Sequence, residues 1–292
     1  MIRIGMIGSD SSHADRFSEL CNLPGFAGGV RGARVVSIWG QDPKRTAEVA
    51  EHNRIARIVE DPAEMLGEVD AVMIVLRHGG LHCQHALPFL EAGIAMFVDK
   101  PFALALADAR WMVHAARGRG TPLASYSCIR YAPAVVGFLK GLKKIAPITA
   151  GVSAGPGDLK SQYGGLMFYG IHAIEMMQET FGSGVRRVSA AHHAGNVVAT
   201  VEYRADPIVS LQVLGNAGSA FHVAAYGKGG ADHCVLDLTD CYPAGLRVFL
   251  KMVRTGREPI PHETMLEAVA VGEAVEKSLR LGRPVSLPAK LL

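Results

Sequence analysis

The stretch Ala71-Val72-Met73-Ile74-Val75-Leu76 is an unbroken apolar run. It is short and rich in β-branched residues, so it reads as a strand buried on both faces. Such a strand belongs to a parallel sheet with helices on either side. The flanking chain agrees. Upstream, residues 3–8 (Arg-Ile-Gly-Met-Ile-Gly) and 34–39 (Arg-Val-Val-Ser-Ile-Trp) read as strands, followed by helices over 13–20 and 46–51. Asp61-Pro62-Ala63-Glu64 is a helix start, because Asp caps, Pro suits the first helical position and Glu64 can reach back. Downstream, 82–91 reads as a helix closed by Gly93, 94–98 as a second buried strand, and 106–117 as a helix closed by Gly118. This alternation demands a mainly parallel sheet with right-handed crossovers.

Arg117-Gly118-Arg119-Gly120-Thr121-Pro122 marks a boundary, and the pattern changes beyond it. Residues 133–142 and 171–181 read as helices, the second ending at Gly182. Long β runs cover 148–154, 185–191, 197–203, 209–214, 221–226 and 234–238, joined by turn residues as in an antiparallel sheet. Helices over 243–254 and 263–281 finish the chain. The expected fold class is α/β: a Rossmann-like parallel-sheet domain over 1–122, then an α+β domain over 123–292 with a large, open, mostly antiparallel sheet. An open sheet face rich in Val, Leu and Ala needs covering, so a homodimer or homotetramer is expected.

A chain of 292 residues can bury a full core without staples, and 49% hydrophobic residues exclude disorder. No apolar run approaches the roughly 18 residues of a membrane helix, so no membrane partner is expected. The net charge is +3, and the short basic clusters sit beside turn residues, so no nucleic-acid partner is expected either. Five widely spaced cysteines without a CxxC pair, and a start that enters a strand directly, predict reduced thiols in a cytoplasmic protein.

The loop after the first strand is Gly8-Ser9-Asp10-Ser11-Ser12-His13. A strand, a short loop and a helix suggest a dinucleotide site, where backbone N–H groups and the helix N-terminus hold a pyrophosphate. Only the first glycine of G-x-G-x-x-G is present, and Asp10 stands where a phosphate should approach. The same residues also read as a plain capped helix start, with Asp10, Ser11 or Ser12 as N-cap. The acidic residue expected to hold the adenosine ribose is replaced by Gly40, leaving Gln41 to bond a ribose hydroxyl or tolerate a 2′-phosphate.

Three segments in order carry a resemblance: residues 69–75 with Leu81-His82 after them, Val98-Asp99-Lys100-Pro101, and residues 164–175. With Arg130-Tyr131-Ala132-Pro133 and Gly282 to Val285, the chain resembles the glucose–fructose oxidoreductase/inositol dehydrogenase/rhizopine-catabolism (Gfo/Idh/MocA) family. The resemblance implies an oxidoreductase that passes hydride between NAD or NADP and a polyhydroxylated small molecule, a sugar or cyclitol. It places Lys100 and His172 as the catalytic pair. Gly8, Ser9, Asp10, Ser11, Ser12, His13, Gln41, Leu76, His82 and Lys100 are then the cofactor residues. The chain departs from the family at Asp99 (usually Glu), at Leu76-Arg77 (usually Thr-Pro), and at Phe168, four residues before His172, where an acid is usual. These departures leave open a redox-inactive member that binds or senses a sugar or nucleotide.

The residues suit the chemistry. Lys100 ends a buried parallel strand, at the sheet edge where ligands sit. An ammonium there can stabilise a developing alkoxide or, with a lowered pKa, carry the proton. A histidine is a good acid/base beside a substrate hydroxyl, and His172 shares a helix face with Glu175, which can orient it or bind that hydroxyl. Arg130, Tyr163 and Tyr169 flank these elements as candidates for a polar substrate pocket. His78, His82, Cys83 and His85 are the densest metal-capable cluster, but Gly79-Gly80 breaks the helix and no acidic ligand is near, so no metal is expected.

Overall fold

Every residue of the strand Ala71–Ile74 is buried, as a central parallel strand requires. It is the fourth of six strands: β1 (Ile2–Ile7), β2 (Ala33–Trp39), β3 (Arg57–Ile58), β4 (Ala71–Ile74), β5 (Ala95–Val98) and β6 (Leu123–Ala124). All pair in parallel, in the order β3-β2-β1-β4-β5-β6. The crossovers carry helices α1 (Ser12–Asn22), α2 (Pro43–His52), α3 (His82–Glu91) and α4 (Leu106–Arg119). Asp61 to Glu64 form the expected capping box, but on a single 3-10 turn rather than a longer helix. The strand order reverses between β1 and β4, and ligands of open α/β sheets sit beyond the strand ends at such a reversal. The computed structural model describes every residue except Pro24 and Ser219.

Two units make up the chain. The first holds Met1–Ala103, Ala107–Cys128 and Tyr242–His262; the second holds Leu104–Leu106, Ile129–Cys241 and Glu263–Leu292. This differs from the single cut expected at 122, because the chain returns. Helix α5 (Pro133–Gly141), α6 (Met167–Phe181) and α8 (His262–Leu281) lie in the second unit, while α7 (Cys241–Thr255) comes back to the first. Its Phe249 ring lies 5.9 Å from Phe97 of β5, and the Tyr126 hydroxyl donates to the Gly245 carbonyl at 2.8 Å. Apolar burial on β5 therefore decides where that helix sits.

The second unit is built on seven strands: β7 (Ile148–Pro156), β8 (Val185–His193), β9 (Asn196–Tyr203), β10 (Ile208–Leu214), β11 (His222–Gly227), β12 (Gly230–Val235) and β13 (Val285–Ser286). Their order is β12-β11-β7-β10-β9-β8-β13. All neighbours are antiparallel except β7 and β10, which pair in parallel with α6, β8 and β9 between them in the chain. The strand expected at 234–238 starts earlier, at Gly230, because the tight turn at Lys228-Gly229 returns the chain directly from β11. One sheet face is covered by α6 and α8, whose Ile171, Ile174, Met177, Val271 and Val275 join one core with Val188, Val201 and Leu211. On the other face Val198, Ile208 and Tyr226 stay 47%, 52% and 47% exposed. The period of two along each strand separates the sets: Val197 is buried and Val198 is not. No helix among the described residues is long and apolar enough to cross a membrane, and the five cysteines are free thiols.

Candidate functional site

In the first unit the site starts at Gly8. Its φ is +111°, and a methyl group there would lie 2.6 Å from the Leu76 nitrogen, so both conformation and space demand glycine. The next residues settle which side chain caps α1. Ser11 is the N-cap and accepts the His13 N–H at 3.1 Å, while Ser12 is exposed at the first helical position. Asp10 reaches to the loop after β4, where its carboxylate accepts the Arg77 N–H at 3.2 and 3.3 Å. The close backbone at Gly8 and the N-terminus of α1, where Ser11 holds one N–H, are features that the phosphates of a dinucleotide need.

Ser9 is buried and sits 2.9 Å from the hydroxyl of Thr46, which donates to the Asp42 carbonyl at 2.7 Å. Gly40 lies against this pair and Gln41 is exposed beside it.

His13 has partners that sequence reasoning missed. Its Nδ1 lies 2.6 Å from Asp99 Oδ2, and its Nε2 lies 2.8 Å from the Tyr242 hydroxyl. Burial raises the Asp99 carboxyl pKa, but His13, by charge and hydrogen bond, and then Lys100 overcome it and hold the acid well below the usual carboxylate range. Asp99 and Tyr242 are far from His13 in sequence. The one sequence sign is the short aspartate where the resembled family carries glutamate.

Lys100 follows directly, buried to 8% exposure. The neighbouring turn is close: a methyl group at Gly79 would lie 2.6 Å from Pro101 Cγ. His82 is fully buried. Its Nε2 lies 2.8 Å from the Leu76 carbonyl and its Nδ1 3.3 Å from the Phe102 carbonyl. Burial lowers its pKa, and because a carbonyl only accepts, Nε2–H donates to Leu76. It thereby braces buried Leu76 from below. His78 accepts the Gly80 N–H, and His85 lies 4.8 Å from the Trp39 ring. Among the described residues no three His, Cys, Asp or Glu side chains are grouped to hold a metal.

In the second unit α6 begins at Met167, after the positive-φ glycines Gly164 and Gly165, four residues before the expected start. His172 therefore lies in its second turn. Its ring is 5.5 Å from Phe221 and 5.9 Å from Tyr169; Phe168 stands 4.9 Å from Tyr169 and 5.1 Å from Tyr163. This is a row of five rings, with Tyr169 exposed and His172 buried. Phe168 is thus part of an aromatic surface, which suits the C–H faces of a small ring molecule. Arg130 and Glu175 are both buried and pair with each other at 2.8 Å; Arg130 also engages Glu179. Burial opposes the guanidinium charge, but Glu175 and Glu179 outweigh it and keep the group ionised.

Residues 2–127 match the family described as "Oxidoreductase family, NAD-binding Rossmann fold". The chain is 29% identical over 216 residues to inositol 2-dehydrogenase 3 of Saccharopolyspora erythraea, covering 73% of this chain and 56% of that protein. It is 25% identical over 243 residues to inositol 2-dehydrogenase of Acidothermus cellulolyticus, covering 77% of this chain and 69% of the relative. The fold is similar to that of myo-inositol dehydrogenase from Lactobacillus casei, solved in complex with NAD(H) and myo-inositol, with TM-score 0.85, 16% identity and coverage of 99% and 98% of the two chains.

Proposed function

We propose that the chain, whose residues 2–127 match the model of the Gfo/Idh/MocA oxidoreductase family with its NAD-binding Rossmann fold, oxidises or reduces a polyhydroxylated small molecule, a sugar or cyclitol, at the expense of NAD(H) or NADP(H). The observation that carries this reading is the Gly8 turn at the reversal of strand order, with buried Lys100 at the end of β5. Bound nicotinamide supplies the hydride acceptor or donor. The side chains supply the rest. Lys100 holds the reacting oxygen and stabilises its developing charge. His172 takes the hydroxyl proton on oxidation and returns it on reduction. The aromatic row beside His172 supports a ring-shaped polyol.

The test is a titration with NADH and NADPH followed by nicotinamide fluorescence, then turnover on a polyol panel. Binding and turnover are expected, and His172→Ala is expected to slow turnover strongly and change its pH profile. A folded sample that binds neither cofactor rejects the reading. Binding without turnover supports the second reading, a redox-inactive binding protein. That alternative draws on Phe168, which leaves His172 without the acidic residue usual four positions earlier.

We also propose that the open face of the seven-stranded sheet is covered by a second copy of the chain, because its half-exposed Val198, Ile208 and Tyr226 need burial. Sedimentation is expected to give an even multiple of 31.1 kDa. A monomer at that mass would remove this part of the proposal.

A further inference from the structure

An acidic side chain at the end of the second strand of a Rossmann unit bonds the ribose diol of NAD and repels the 2′-phosphate of NADP. In this chain that position is Gly40, and the reason it is glycine lies in its neighbours. A methyl group at position 40 would lie 2.1 Å from Ser9 Oγ and 2.3 Å from Thr46 Oγ1. Ser9 and Thr46 are each 1% exposed. Thr46 spends its proton on the Asp42 carbonyl at 2.7 Å, so the 2.9 Å bond between the hydroxyls is donated by Ser9. The chain Ser9–Thr46–Asp42 therefore ties the first loop to the start of α2 and fills the volume that an acid at position 40 would need.

The next groups add no discriminating acid. Gln41 is neutral and exposed. The Asp42 carboxylate accepts the Lys44 and Arg45 N–H groups at 2.9 and 3.2 Å. Lys44 is exposed, and Arg45 pairs with Asp15. Lys44 and Arg45 thus stand beside the carboxylates of Asp42 and Asp15, and neither acid comes from position 40 or 41.

Resting on the dehydrogenase reading above, we propose that Ser9 and Thr46 are specificity-determining residues: by closing position 40 to any side chain they remove the selection against a 2′-phosphate, so the protein takes NADP(H) as readily as NAD(H). The sites at positions 9, 40 and 46 form one unit. An acid can enter only when both hydroxyls leave.

The experiment measures dissociation constants for NADH and NADPH by nicotinamide fluorescence, in the parent, in Gly40→Asp, and in the triple variant Ser9→Gly/Gly40→Asp/Thr46→Ala. For the parent, NADPH is expected to bind within about threefold of NADH, or more tightly. Gly40→Asp alone is expected to lower Tm, since its side chain meets both hydroxyls. The triple variant is expected to fold and to shift the NADPH-to-NADH ratio of dissociation constants toward NADH by about tenfold or more. A parent that binds NADH more than about threefold tighter than NADPH overturns the inference while leaving the dehydrogenase reading intact. So does a Gly40→Asp variant that melts with the parent. Binding of neither cofactor overturns the dehydrogenase reading, and this inference with it. Should the triple variant fail to fold, the parent ratio alone decides.

Discussion

Lys100→Ala is expected to lower kcat by about a hundred- to ten-thousand-fold, with the fold intact and Tm close to that of the parent. The expectation follows from where the lysine sits. It is the second residue after β5, at the carboxyl edge of the parallel sheet, and only 8% exposed. A charge held there meets little competing water, so its effect on a developing alkoxide exceeds what an exposed lysine gives. The preceding Asp99 is occupied by His13 at 2.6 Å, which anchors the strand end from which Lys100 projects. Because the interaction grows as charge develops, the loss belongs in kcat more than in KM. Lys100→Arg keeps the charge but not the geometry or the ability to give up a proton, and is expected to recover only part of the rate. Turnover of Lys100→Ala at the parent's rate would remove the lysine from the mechanism.

Arg130→Ala is expected to destabilise the protein by about 3–5 kcal/mol, measured by denaturant unfolding. Arg130 is 3% exposed and Glu175 4%, and they pair at 2.8 Å. Removing the guanidinium leaves a buried carboxylate without its main counter-charge, which is the expensive half of a buried ion pair. Adding Glu175→Gln to Arg130→Ala is expected to restore a measurable part of the loss, since the stranded charge is then gone. A loss below about 1 kcal/mol for Arg130→Ala would show that the pair carries no strut. The pair also bears on chemistry: Glu175 follows His172 by three residues on α6, so the strut anchors the helix that presents the imidazole. The sequence made these two residues candidates for a polar substrate pocket; here each has the other as partner.

Much of the first unit was legible in advance. The apolar run from Ala71, the alternating strands and helices, and the Asp61 capping box all rest on spacings of a few residues, which local physics decides. The family resemblance pointed at the ends of β1 and β5. The second unit was less legible at its edges. The strand at Gly230 begins with polar residues and is set by its hairpin turn, whereas apolar content drew the expectation to 234–238. Helix α6 starts early because Gly164 and Gly165 turn the chain there, a matter of φ that composition does not reveal.

What the residues determined on their own was the order and type of elements, the buried strands, and the need for glycine where a strand turns into a helix. Those follow from periodicity, capping and conformational freedom, all short-range. Only the folded chain decided that His13 meets Asp99 and Tyr242, that two hydroxyls close position 40, that Arg130 meets Glu175, and that α7 returns to β5. Each of these joins side chains from separate elements, and such meetings depend on how whole strands and helices stack, which no local spacing encodes.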